Sequence, residues 1–312
     1  MLLRTGQPAD RLSELLHCES AAGAQLSGPQ ADSSQTTRHR IANDLRIPSL
    51  RCILLTLIFL YPALPPAARM AAAGDWVDYR QAGRFIIRSE FPLDADPELA
   101  AFLQSPDQHE ADIVATLQLK PSQQTIVINL FASRREFLQT IREVAPEAAG
   151  RRAVFVRGDD AGHVYCYRHA ELLTDLRHEL THAILHSMLP FLPLWLDEGL
   201  AEYFEAPPAE RASGHPSQTR TSLSAKFGLT WRPKLTRLEA KNDLTDISLS
   251  NYREAWAWVH FLLHGPPEAT NLLQRYLLMI QAEQPPGPLS AHLRQIIPNP
   301  EAALTAHLKS WK

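Results

Sequence analysis

Residues 178–182 read His-Glu-Leu-Thr-His, and nothing else in the chain limits its fold as tightly. Apolar residues around them, Leu173, Leu176, Leu180, Ala183 and Ile184, recur at helical spacing. Residues four apart on a helix share a face. His178 and His182 therefore point the same way and can hold one metal ion through imidazole nitrogens. Glu179 lies one step from His178, so it leans over the ion without ligating it and can serve as general base. The ion predicted is Zn2+. With three protein ligands it leaves a fourth position for water, whose pKa falls to about 7.

A third ligand is needed. A glycine at 185 and a histidine at 188 would continue the metzincin pattern, but Leu185 and Met188 stand there and exclude it. His186 lies two turns beyond His178, too far along the helix to join the pair, and reads as a packed or exposed histidine. Pro190 and Pro193 break the helix. Trp195-Leu196-Asp197-Glu198-Gly199-Leu200-Ala201-Glu202-Tyr203 then opens a second helix, which can fold back antiparallel to the first. Glu198 is assigned to the metal. Glu202, one turn later on the same face, is assigned to hydrogen-bond a ligand histidine from behind. Glu205 is a weaker candidate for that bond, and an exchange of roles between Glu198 and Glu202 is the alternative.

These two segments resemble the gluzincins, whose aminopeptidase N branch reads H-E-x-x-H and then W-L-N-E-G-F-A. They are more similar still to the peptidase-MA-like group of bacterial exported proteins, with W-L-x-E-G-L-A-E-Y. The resemblance implies a zincin-like fold, a peptide or protein substrate, and Glu198, the glutamate before the glycine, as zinc ligand. Tyr252-Arg253-Glu254-Ala255-Trp256-Ala257 resembles the gluzincin stretch Y-x-K-G-x-A and departs from it at Glu254 and Ala255. The resemblance makes Tyr252 the donor to the reaction oxyanion; the other reading is a tyrosine packing at a helix start. It also likens strand His163–Tyr167 to the edge strand along which zincins lay an extended substrate. The G-x-M-E-N signature of aminopeptidases is absent, so that activity is not implied.

The rest of the chain is read from pattern. A formal charge of −3 and the lack of basic runs interleaved with aromatics argue against nucleic acid as partner. Cys18, Cys52 and Cys166 form no C-x-x-C pair, which excludes a zinc ribbon. From Cys52 to Ala68 no charge occurs; Arg46 and Arg51 precede this stretch and Ala71-Ala72-Ala73 follows it. Basic, apolar, then small is the order of a secretory signal peptide. Its apolar core is shorter than the ~20 residues of a membrane span. Export to the periplasm or medium is the expectation, and an uncleaved anchor through 52–68 is the alternative. Residues 1–46 read as a disordered or untranslated extension, with translation beginning near Leu45 or Leu50 although no methionine lies between Met1 and Met70. Residues 47–73 are the signal or anchor, and 74–312 the catalytic domain.

Within that domain, 74–168 carries the strands and 169–312 is helical, an α+β layout. Strands are predicted at Phe85–Ser89 and, centrally, at Thr125–Leu130. Ala153–Val156 and His163–Tyr167 form a hairpin. Helices are predicted over Pro97–Leu119, from a Ser133/Glu136 capping box to Val144, and over His169–Met188, Leu194–Glu205, Asn251–His264, Pro267–Gln281 and Pro300–Trp311. Pro207–Ser250 reads as a long loop with at most a short strand. The expectation is an exported zinc hydrolase, a peptidase. Its rivals are a zinc-binding scaffold with a vestigial site and a zinc hydrolase of non-peptide amides or esters.

Overall fold

The computed structural model describes residues 76–213, 231–243 and 247–310. The segments 1–46 and 47–73 of the sequence analysis lie outside them. The fold is mixed α+β, a five-stranded mixed sheet followed by a helical C-terminal half. The strands are β1 (Asp78–Ala82), β2 (Phe85–Ser89), β3 (Thr125–Phe131), β4 (Ala153–Arg157) and β5 (Ala161–Tyr167), in the order β1-β2-β3-β5-β4. The outer pairs are antiparallel, and β3 pairs in parallel with both β2 and β5. β1 was not evident from pattern, because Asp78-Tyr79-Arg80-Gln81-Ala82 has no apolar alternation. It forms because Gly83, at φ 56°, turns the chain back onto β2.

β3 is central, as its unbroken apolar run predicts, and is covered on both faces. Its register aligns Ile87, Ile128 and Val164 across three strands on one face. That face packs on the stripe Leu176, Leu180, Ala183 and Ile184 of the helix Leu172–Met188. The opposite face is covered by Phe137 and Ile141 of the helix Arg134–Val144. Ser133 caps that helix by accepting from the Arg135 N–H. Glu136 does not close the expected capping box; its Oε2 is buried without a hydrogen-bond partner.

Three further expectations change. The helix over Pro97–Leu119 is two, α1 (Pro97–Gln104) and α2 (Pro106–Leu117). Pro106 has no N–H and disfavours helical backbone in the residue before it, and Ser105 adopts φ −142°, ψ 58°. The hairpin strand His163–Tyr167 is not an edge strand: β5 lies between β3 and β4, and β4 is the edge. The described parts of 207–250 hold no strand but two short helices, α6 (Pro208–Arg211) and α7 (Leu235–Glu239).

With Arg134–Val144 as α3 and Leu172–Met188 as α4, the other helices are α5 (Leu194–Phe204), α8 (Leu249–His264), α9 (Pro267–Gln281), α10 (Leu289–Ile296) and α11 (Pro300–Ser310). α5 is buried nearly all round, with Trp195 1% exposed. It lies against α8 at Gly199, where an added Cβ would meet the Ala255 carbonyl oxygen at 2.8 Å and Val259 Cγ2 at 2.8 Å. No helix among the described residues is long and apolar enough to cross a membrane.

Candidate metal centre

α4 presents His178, His182 and His186 from successive turns, and α5 faces them with Asp197 and Glu198 and with Glu205 at its C-cap. Along α4 from 178 to 186, hydrogen-bond partners run backwards, from Glu205 at the C-cap of α5 to Asp197 in its first turn. The helices are thus antiparallel, as the proline break between them predicts.

Three donor atoms converge. His178 Nε2 and His182 Nε2 are 3.3 Å apart, and Glu198 Oε2 lies 3.6 Å from the first and 3.8 Å from the second. A tetrahedral ion with bonds of about 2.1 Å holds its ligands about 3.4 Å apart. The nearest point equidistant from these three atoms lies in their plane, about 2.1 Å from each, so bonds of about zinc–nitrogen length can span the group. Glu198 Oε2 is buried and has no hydrogen-bond partner. Its nearest partners are the two imidazole nitrogens, beyond hydrogen-bond length, and a cation between them would satisfy it. His178, His182 and Glu198 form a group that can hold a metal ion.

The charges around the group favour a cation. Burial alone would lower the His178 pKa, yet the Glu198 and Glu205 carboxylates hold it well above its ordinary value. His182 is raised against burial in the same way, chiefly by Asp197. Burial would raise the pKa of Glu198, but His178 and His182 hold it below the usual carboxylate value. Carboxylates that favour a proton on paired imidazoles also favour a metal between them.

The back nitrogens are held as ligand histidines require. His178 Nδ1 pairs with Glu205 Oε2 at 3.0 Å, and His182 Nδ1 with Asp197 Oδ1 at 2.8 Å. The carboxylate expected behind a histidine was Glu202; the bond to His178 is made by Glu205, three residues on. Glu202 stands beside that pair, its ligand-capable oxygen within 4.8 Å of those of His178 and Glu205. Asp197 was not singled out from sequence. Its signal is a carboxylate directly before the candidate ligand Glu198, about 100° round the helix from it. Its other oxygen accepts from His186 Nε2 at 2.8 Å, so His186 has a polar partner in the site.

Glu179 is buried, and its Oε2 accepts the Phe155 N–H at 2.7 Å. Phe155 is on β4, so the candidate base is docked on the sheet edge. Tyr252, in the first turns of α8, is half-buried. Burial first, and then the Glu198 carboxylate, push its pKa up to about 12 against the opposing influence of Arg151 and His178. Its phenol keeps its proton at neutral pH beside the candidate ligands. Arg151, which precedes β4, is a neighbour no sequence pattern pointed to.

Neither the models of known protein families nor the curated proteins yield a match to this chain.

Proposed function

We propose that the chain is a zinc-dependent hydrolase, a peptidase of gluzincin type with a zincin-like fold. The observation that carries this reading is the converging triangle of His178 Nε2, His182 Nε2 and Glu198 Oε2, whose buried oxygen has no hydrogen-bond partner. Bound there, zinc supplies a Lewis acid and an acidified water at neutral pH. The Phe155 N–H holds Glu179 Oε2, which leaves Oε1 to take the water proton and pass it to the leaving amine. Tyr252, kept protonated, donates its O–H to the oxygen that becomes negative as the carbonyl is attacked. Asp197 and Glu205 keep a proton on each Nδ1, so both Nε2 lone pairs face the ion.

A peptide in this reading pairs along β4 rather than along His163–Tyr167. β4 is the strand whose backbone N–H already touches the base, so a chain laid on that edge passes under Glu179. Export through the leader at 47–73 is part of the same proposal and leads to a protein or peptide substrate outside the cytoplasm.

The test is metal content and a peptide-library digest of the purified chain. Glu179→Gln should retain zinc and lose hydrolysis by about a thousandfold. His182→Ala should lose the zinc. Full hydrolysis by Glu179→Gln would refute the mechanism.

A further inference from the structure

We propose that His186 is a positioning residue of the metal centre, acting on the ligand His182 through the shared carboxylate of Asp197. The inference rests on the metal-centre reading above. Asp197 uses one oxygen for each histidine, Oδ1 for His182 Nδ1 and Oδ2 for His186 Nε2, both at 2.8 Å. Its side chain is 13% exposed and that of His186 19%, so little water competes for either bond. A carboxylate anchored by one oxygen can turn about its Cβ–Cγ bond. Anchored by both, its plane is fixed, and with it the ring of His182. His186 reaches it because residues four apart on α4 stack along one face, one turn beyond the ligand.

The same imidazole also braces the base. The His186 ring stacks on Phe155, with centroids 5.5 Å apart and planes at 25°. The Phe155 ring also packs closely on Gly162, where a Cβ would come within 3.1 Å of it. The Phe155 N–H in turn holds Glu179 Oε2 at 2.7 Å. One side chain thus links the second ligand histidine to the strand that orients the general base. A histidine that only filled space could be replaced by phenylalanine without effect on the metal. A histidine that acts through Asp197 could not.

Zinc affinity of the full chain, measured by competition with a chromophoric chelator, distinguishes the two. His186→Phe keeps a ring against Phe155 but removes the donor, and should weaken zinc binding about tenfold. His186→Gln places an amide N–H near the position of Nε2 and should restore most of that loss. Asp197→Asn should weaken binding by about tenfold or more, and adding His186→Phe to it should cost nothing further. The visible spectrum of the cobalt-substituted chain should shift in His186→Phe and return towards the parent in His186→Gln. Thermal unfolding of the metal-free variants checks that each folds; should His186→Phe not fold, His186→Ala takes its place in the cycle with Asp197→Asn. Parent-like affinity in the donor-less variant, or losses that add in the double variant, would overturn the proposal while leaving the metal centre intact. A parent chain that takes up no zinc would overturn both.

Discussion

A histidine that binds metal through Nε2 carries its proton on Nδ1, and that proton needs an acceptor. Asp197 and Glu205 supply the two acceptors here, at 2.8 Å and 3.0 Å. Only the candidate ligands themselves were legible at this scale. The i, i+4 spacing of His178 and His182 determines their common face, whatever surrounds the helix. No local rule gives the partners behind them, because Glu202 and the C-cap residue Glu205 both continue the stripe of α5 that begins at Glu198. Which one meets Nδ1 depends on how far along α5 the crossing with α4 falls. Tyr252 makes the most exacting prediction about a single residue. Tyr252→Phe removes the hydroxyl and leaves the ring. It should lower kcat by about tenfold to a hundredfold with KM little changed, since the donated bond forms only as charge develops. Steady-state kinetics on a peptide found by the library digest measure this, and an unchanged kcat would remove Tyr252 from the reaction.

At the scale of elements, three helices set the geometry. α4 lies on the sheet, α5 returns along α4, and α8 backs α5. Gly199 permits the last contact. In isolation, alanine in a helix is about 1 kcal/mol better than glycine. Here its Cβ would sit 2.8 Å from the backbone oxygen of Ala255, which cannot rotate away as a side chain could. The overlap outweighs the propensity. Gly199→Ala should therefore destabilise the chain by about 2 kcal/mol in urea unfolding, and weaken zinc binding because the strained residue adjoins Glu198. Equal or greater stability would show that α8 yields easily. The helical frame of α4 and α5 was legible because apolar periodicity and prolines act locally. Pro106 was an equally local signal and divides α1 from α2. The edge strand was not legible. A hairpin fixes that β4 and β5 pair, but only the parallel partner β3 decides which of them faces inward.

For the whole molecule, the buried His109 sets a dependence on acid. His109, 6% exposed, pairs with Thr181 Oγ1 of α4 at 3.0 Å. Burial, and then Arg211 and Arg177, push its pKa down from 6.5 to about 3. Above pH 6.5 neither the folded nor the unfolded chain protonates it. Below that, the unfolded chain takes up the proton and the folded chain does not, so stability is lost as pH falls, by about 1.4 kcal/mol per pH unit. The loss continues until the folded value near 3 is reached. His178 and His182 act in the opposite sense in the metal-free chain. Their raised values contribute stability that is present below the ordinary histidine pKa and lost as pH rises through the raised one. His109→Gln keeps a group able to bond Thr181 but not the titration. Between pH 6.5 and 5 it should lose about 2 kcal/mol less than the parent in urea unfolding. Identical losses would show that other groups govern acid lability.

Read from the chain's pattern, His178 and His182 share one helix face with Glu179 beside it, a second helix returns with a carboxylate, and β3 is central. Each of these follows from a period or a break within a few residues, where backbone geometry leaves little choice. Only the packed fold brought Glu198 Oε2, already read as the third ligand, within 3.8 Å of both imidazoles, joined His182 to His186 through Asp197, and put the amide that holds Glu179 on β4. These are contacts between elements. They depend on the crossing of α4 with α5 and on the order of strands, which packing of the whole core sets and no short stretch of chain contains.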